Sequence, residues 1–363
     1  MIALLRTATS CMPTDFDADP YLLGVQNGVV NLRTGEHRAA EKEDMLLKRC
    51  QIDFKAGVGC PMWEAFLEDV QPDADIRDFL QRAIGYACTG MTTEQVLFFL
   101  FGLGQNGKST FIETIEHILG DYVWRSSADL FLETRADDNK MNMLASLPEK
   151  RFVVGAEMPQ DGRLAENRIK DLTGGDMIVA RKLFCEAFNY RPTHKLFFYG
   201  NHRPTIRGTD TGIWRRLLLI PFSIEVPEAK RDRGIVERLR SESQGILNWM
   251  LEGCLLWQAE GLNPPESVRA AVAEYRDEED LINQFVEQFC ELGDGLSVDR
   301  RKLSYAFECW MKEAGYKFTL SPRAVGDRVS RLPGVRPGKK SGNARFWSGI
   351  ALRDAKAFVG GPK

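Results

Sequence analysis

The sequence predicts an α/β protein with a mainly parallel sheet covered by helices, and three observations carry that prediction. Residues 95–101 (QVLFFLF) form a continuous apolar run, the mark of a strand buried on both faces. Similar runs recur at 151–155 (RFVVG), 195–199 (KLFFY) and 217–220 (LLLI). Helical stretches alternate with them, which is the pattern of a parallel sheet under helices.

The 363 residues allow two or three domains, one large enough for a full α/β core. Apolar residues make up 44% and charged residues 27%, which excludes a disordered or fibrous chain. Lys and Arg number 48 against 51 Asp and Glu, so the whole molecule is not a basic nucleic-acid glue. Residues 321–363 depart from that balance, with ten basic and two acidic side chains, a local +8. The eight cysteines are scattered without a C-x-x-C pair, and only four histidines occur. A zinc site or disulfide framework is not expected, and a reduced cytoplasmic compartment is. No apolar stretch nears the roughly 20 residues of a membrane span.

Pattern changes set the expected domains: a β-rich lead-in over 1–61, a helical collar or oligomerisation segment over 62–92, an ATPase-type core over 93–228, a helical lid or linker over 229–275 and a basic domain over 276–363. In the lead-in, Asn27-Gly28, the run from Val29 to Leu32 and Thr34-Gly35 read as a small hairpin. Trp63, Phe66, Leu67 and Val70, then Ile76, Phe79, Leu80, Ile84 and Ala87, lie at helical spacing on two helices. Phe111, Ile112, Ile115, Ile118 and Leu119 mark another that stops at Gly120. Helices continue over 230–275 with a break at Pro264-Pro265.

Between the first apolar run and its helix stands Gly102-Leu103-Gly104-Gln105-Asn106-Gly107-Lys108-Ser109, followed by Thr110, matching G-x-x-x-x-G-K-[ST]. Glycines let the backbone curl so that its N–H groups point at phosphate oxygens, and the next helix adds its positive dipole end. Lys108 is expected to reach the β- and γ-phosphates of ATP and Ser109 to ligate Mg²⁺. Glu157 comes two residues after the run at 151–155 and is a candidate for holding the metal or polarising water, or is a surface acid after a strand. Asn201 follows the run at 195–199 and is either a γ-phosphate or water contact or a strand-ending turn residue. Arg215 and Arg216 precede the run at 217–220, as solvated flanks or as an arginine finger acting on a neighbour's γ-phosphate.

Leu281, Phe285, Val286 and Phe289 mark a helix in the basic region, and Leu303, Phe307, Trp310 and Met311 a second. Ser321-Pro322-Arg323 has the chemistry of a helix start and opens a third, which carries Arg323, Arg328 and Arg331. A hairpin with Lys339, Lys340 and Arg345 follows. Three helices plus a basic hairpin resemble a winged-helix domain, in which the third helix enters a groove and the wing touches phosphates. A solvated basic face or a protein-docking module is the alternative.

The order and spacing of the phosphate loop, Glu157, Asn201 and Arg216, with Lys170-x-x-Thr173-Gly174-Gly175-Asp176 between them, resemble superfamily 3 helicases of the phage and plasmid primase-helicase class, which has poxvirus-type relatives. The resemblance implies an AAA+-like ATPase, usually a hexameric ring, that moves on single-stranded DNA, typically 3′ to 5′. It makes 102–109 motif A, Glu157 the motif B acid, Asn201 the sensor and Arg216 the finger. Residues 170–184 become the segment leading into a pore hairpin, where Lys170, Arg181 and Lys182 would track DNA phosphates, the alternative being a hairpin whose aromatics are core and whose cations are solvated. Within that hairpin, 177–184 alternates poorly, and its partner strand is expected near 188–191. Many members carry two adjacent acids in motif B, whereas here Ala156 precedes Glu157.

The resulting expectation is an ATP-dependent replicative DNA helicase using ATP and Mg²⁺. Its partners would be single-stranded and forked DNA, further copies of itself, and a primase or polymerase domain. No acidic cluster suited to synthesis precedes Tyr21, so the chain reads as a helicase alone or as a fragment of a larger protein. The alternatives are a P-loop small-molecule kinase, or a winged-helix replication initiator whose nucleotide site only regulates assembly.

Overall fold

Each apolar run becomes a strand of one parallel sheet. The computed structural model describes residues 15–133, 138–155, 159, 162–206, 211–316, 319–330, 332–338 and 344–354. The chain divides into two compact units, Met1–Ala273 and Glu274–Lys363.

In the first unit β1 (Leu22–Val25), β2 (Gly28–Asn31) and β3 (Glu36–Arg38) form an antiparallel meander. The expected hairpin is therefore three strands, and Gly28 opens β2 rather than sitting in the turn. There its φ is +151°, and a Cβ would lie 2.2 Å from the Arg38 carbonyl oxygen. Helices α1 (Pro61–Val70) and α2 (Ala74–Cys88) follow. Pro61 stands at the start of the first, and Asp73 caps the second by accepting from the Asp75 N–H.

The central sheet uses β4 (Leu97–Phe101), β5 (Val123–Ser126), β6 (Phe152–Gly155), β9 (Lys195–Gly200) and β10 (Leu217–Pro221). Its order is β10-β4-β9-β6-β5, and every neighbouring pair is parallel. The sequence reading missed β5, a short edge strand (VWRS) that is only partly buried and so lacks the apolar signature. Along the chain α3 (Lys108–Leu119) follows β4 and α4 (Asp138–Leu144) follows β5. Between β6 and β9 come α5 (Glu166–Gly174) and the antiparallel hairpin β7 (Ile178–Arg181) and β8 (Ala187–Tyr190). Helix α6 (Thr211–Trp214) leads into β10.

Aromatic rings of adjacent strands hold the sheet: Phe98 lies on Phe197 at 4.5 Å and Phe152 on Phe197 at 4.4 Å between centroids. All three are fully buried, each contributing about 2–3 kcal/mol of transfer free energy. Helices α7 (Ile235–Ser241), α8 (Ser243–Glu260) and α9 (Glu266–Glu279) follow β10. Helix α8 crosses α2 backbone to backbone: a Cβ on Gly85 would stand 2.0 Å from the Cys254 nitrogen, and one on Gly253 2.1 Å from the Gln81 carbonyl oxygen. Only glycine permits that approach.

The second unit contains α10 (Leu281–Phe289), β11 (Cys290–Asp299), α11 (Arg300–Glu313), α12 (Pro322–Val329), β12 (Arg336–Pro337) and β13 (Phe346–Leu352). Its antiparallel sheet has the order β11-β13-β12. Phe285, Phe307, Met311, Val325, Trp347 and Ile350 form its core. Strand β11 has no alternating apolar pattern to announce it, since most of its middle is exposed.

Candidate nucleotide site

The loop between β4 and α3 is shaped by three glycines. A Cβ on Gly102 would meet the Phe222 carbonyl oxygen at 2.1 Å. Gly104 and Gly107 hold φ at +105° and +81°, and a Cβ on Gly107 would press Val70 at 2.6 Å. Helix α3 starts at Lys108, directly after Gly107, so the orphan N–H groups of its first turn adjoin the curl of the loop. A concave backbone with glycine at its close approaches and a helix N-terminus behind it suits an anion of phosphate size.

Lys108 is 4% exposed, and its Nζ donates to the Gly102 carbonyl at 2.8 Å, to Asn106 Oδ1 at 2.7 Å and to Asn201 Oδ1 at 3.4 Å. Asn106 is buried, and its Nδ2 donates to the Phe222 carbonyl at 2.9 Å, pinning the loop to the end of β10. Ser109 and Gln105 are exposed at the loop, and Leu103 points outward. Asn201 follows directly on β9, beside β4, so the parallel register delivers its amide to the loop. Gln71 Nε2 donates to the Pro221 carbonyl at 2.7 Å and ties the end of α1 to this edge. Glu157 lies outside the described residues, as do Arg331, Lys339 and Lys340.

Beside the loop opens a cleft of 430 Å³ whose walls include Gln105, Gly107 and Thr110 on one side and Phe66, Val226 and Ile235 on the other. Ala65, exposed on α1, stands at its rim. Sequence reasoning missed these contributors from α1 and from the segment after β10, because their helical spacing reads as ordinary core packing.

The arginine pair is at the opposite, N-terminal end of the strands, just before β10. Leu217 pairs with Leu97 and Pro221 with Phe101, so Arg216 lies near the start of β4, about 17 Å along the strands from its own phosphate loop. The two side chains differ. Arg216 is 8% exposed, its Nε donating to Thr173 Oγ1 at 3.0 Å and its Nη1 to the Gly212 carbonyl at 2.8 Å. Arg215 is exposed, and its Nη2 reaches Gln95 Oε1 at 3.5 Å. Nothing in the dipeptide foretells this division.

The hairpin β7–β8 exists where expected, and its alternation is better than the sequence suggests. Ile178 and Ala180 are buried while Val179 and Arg181 are exposed. Arg181, Lys182, Leu183 and Phe184 are all exposed at its tip, and Lys170 is half-buried on α5. In the second unit Arg323 and Arg345 are exposed and Arg328 is half-buried.

With this geometry in place, the kinship is informative. Residues 1–72 match the family described as D5 N terminal like, and residues 100–216 match a family of unknown function, DUF5906. A candidate helicase of Acanthamoeba polyphaga mimivirus, L207/L206, is 29% identical over 307 residues, covering 76% of this chain and 31% of that one. The candidate helicase 022R of Frog virus 3 is 28% identical over 334 residues, covering 86% of this chain and 33% of that one. Primase D5 of Fowlpox virus is 23% identical over 176 residues, covering 46% of this chain and 22% of that one. These matches make the chain similar to helicases and primases of the primase-helicase class.

Primase-helicase kin of this kind come from large DNA viruses, and the chain spans about a third of the length of the first two. Among solved structures, the apo C-terminal region of NrS-1 aligns with 92% of this chain and 83% of its own at 11% identity and a TM-score of 0.49. Among the described residues, no helix is long and apolar enough to cross a membrane.

Proposed function

We propose that this chain is an ATP-driven DNA translocase of the replicative helicase type, hydrolysing ATP at seams between copies of itself. The observation that carries the reading is the placement of two sets of groups on one sheet. Lys108 and Asn201 converge at the C-terminal ends of β4 and β9, while the arginine pair stands at the N-terminal end of β10, beside the start of β4. An arginine side chain cannot span about 17 Å, so the pair would serve a different copy's triphosphate. That is the arrangement a ring with shared sites requires.

The loop suits ATP with Mg²⁺: glycines open the backbone, Lys108 would hold the β- and γ-phosphates, and Ser109 would ligate the metal with Glu157. The metal would neutralise charge as it builds on the phosphoryl oxygens. Asn201 would orient the attacking water or the γ-phosphate, and Glu157 would accept a proton from that water. The cleft beside Thr110 would take the ribose and base. An arginine from the neighbour would stabilise the charge of the transition state, and it keeps its own proton throughout.

The hairpin at 178–190 would line a central channel, with Lys170, Arg181 and Lys182 tracking phosphates of single-stranded DNA. The helix-strand-helix-helix-strand-strand order of the second unit supports a winged-helix reading, in which Arg323, Arg328 and Arg345 would contact DNA. A hexamer travelling 3′ to 5′ in the host cytoplasm, working with a primase or polymerase domain, belongs to the same reading. The expected segments at 1–61, 62–92, 93–228, 229–275 and 276–363 would serve as lead-in, collar, ATPase core, lid and DNA-binding module.

The test is ATP hydrolysis with and without single-stranded DNA, for wild type and for Lys108→Ala. DNA-stimulated turnover that vanishes in the variant is expected. Phosphorylation of a small molecule without DNA would favour a kinase instead.

A further inference from the structure

The arginine pair is asymmetric, and the asymmetry leads to the hairpin. Arg216 is buried and braced, with Thr173 Oγ1 accepting from its Nε at 3.0 Å. Thr173 in turn donates its hydroxyl proton to the Ile169 carbonyl at 2.6 Å, so both capacities of that hydroxyl are used inside the first unit. Thr173 lies in the last turn of α5. Gly175 follows at φ +80°, and β7 begins at Ile178. The brace therefore grips the root of the hairpin.

A second link runs in parallel. Gln95 donates from Nε2 to the Gly174 carbonyl at 3.1 Å and accepts from Arg215 Nη2 at 3.5 Å. Its backbone is in the left-handed region at φ +54°, a conformation that costs a non-glycine residue free energy and persists where surroundings impose it. Two adjacent arginines are thus each joined to consecutive residues at the end of α5, one through a buried hydroxyl and the other through the half-buried amide of Gln95. A guanidinium that must leave for a neighbour's phosphate would first surrender its bonds. Arg216, a buried side chain, would give up its hydrogen bonds to Thr173 and to the Gly212 carbonyl, whereas among the described residues Arg215 has one long side-chain bond at the surface to give up.

We infer that the pair divides its labour: Arg215 is the catalytic arm extended to the neighbouring copy, and Arg216 is a positioning residue that couples movement of that arm to the hairpin through Thr173. This rests on the shared-site reading above and deepens it. When Arg215 engages a neighbour's triphosphate, the strand start at 215–217 shifts, and the Arg216–Thr173 bond carries the shift into α5 and the hairpin.

The experiment measures ATP turnover with single-stranded DNA, and strand separation per ATP, on the full chain. Arg215→Ala is expected to lose roughly 10³-fold of turnover, the scale of an arginine finger, and to regain turnover when mixed with Lys108→Ala. Thr173→Val is expected to keep turnover near wild type while strand separation per ATP falls about tenfold, a coupling loss of the size intermediate residues carry. Thr173→Ser, which restores the hydroxyl, is expected to restore separation. Parallel loss of turnover and separation in Thr173→Val would indicate a structural bond only and would overturn the coupling, as would a variant unchanged in both. Recovery on mixing by Arg216→Ala and not by Arg215→Ala would overturn the assignment of the arm. A wild type whose turnover ignores DNA would remove the shared-site reading itself, an outcome distinct from failure of the variants.

Discussion

Lys108 donates to Asn201 Oδ1 across 3.4 Å, joining the first residue of α3 to the end of β9. The contact exists because β9 is the parallel neighbour of β4, with Phe101 opposite Gly200. It holds the lysine inside the loop, where Gly102 and Asn106 are its other partners. A triphosphate would compete for the same ammonium group. Removing the lysine should therefore abolish nucleotide binding. Removing the amide should spare binding and cost turnover about 10²-fold, typical of a lost donor at a developing charge. Calorimetric titration with ATP and steady-state hydrolysis on Lys108→Ala and Asn201→Ala separate the two roles.

The cleft beside Thr110 makes a different prediction, because it would be filled by the nucleoside and not by phosphates. Ala65 is exposed on α1 at its rim, so Ala65→Trp would occupy the space without disturbing the core. ATP affinity should fall at least about tenfold, or 1.4 kcal/mol, while inorganic tripolyphosphate should compete for the loop as well as with wild type. Equal weakening of both ligands would mean that the cleft does not take the nucleoside.

How much of this could be read from the residues alone follows from how local each signal is. The phosphate loop is eight consecutive residues whose glycine spacing states its backbone shape. The strands at β4, β6, β9 and β10 are announced by apolar runs, since burial on both faces leaves no polar alternation. The order of the sheet depends on non-local pairing, which no stretch of sequence contains. Nor does the dipeptide at 215–216 say which arginine is buried: Thr173, forty-three residues away, decides it. The hairpin's alternation was obscured because Val179 is apolar yet exposed.

In the second unit, exposed Arg323 and Arg345 sit on α12 and just before β13. If they contact DNA phosphates, each releases about one counterion on binding. The slope of log affinity against log salt should then fall by about one for Arg323→Ala and again for Arg345→Ala, with little change in sequence preference. Fluorescence anisotropy on a duplex across a salt series measures it. A basic face that docks protein would show unchanged slopes in both variants.

At the N-terminal end of the central strand β9, His194 is buried immediately before Lys195. Burial, aided by the charge of adjacent Lys195, pushes its ring down to about 3 from an ordinary 6.5. An unfolded chain binds a proton at this ring as pH falls below 6.5, while the folded chain refuses one until about 3. Stability from this residue is therefore complete above 6.5 and is lost progressively as pH falls toward 3. At pH 5 the loss relative to pH 8 amounts to about 2 kcal/mol. His194→Leu cannot bind the proton in either state, so its urea midpoint should fall less than the wild-type midpoint between those two pH values. Carboxylates that also titrate there are common to both proteins and cancel in the difference. Equal falls in the two midpoints would mean that the ring takes its proton in the folded state.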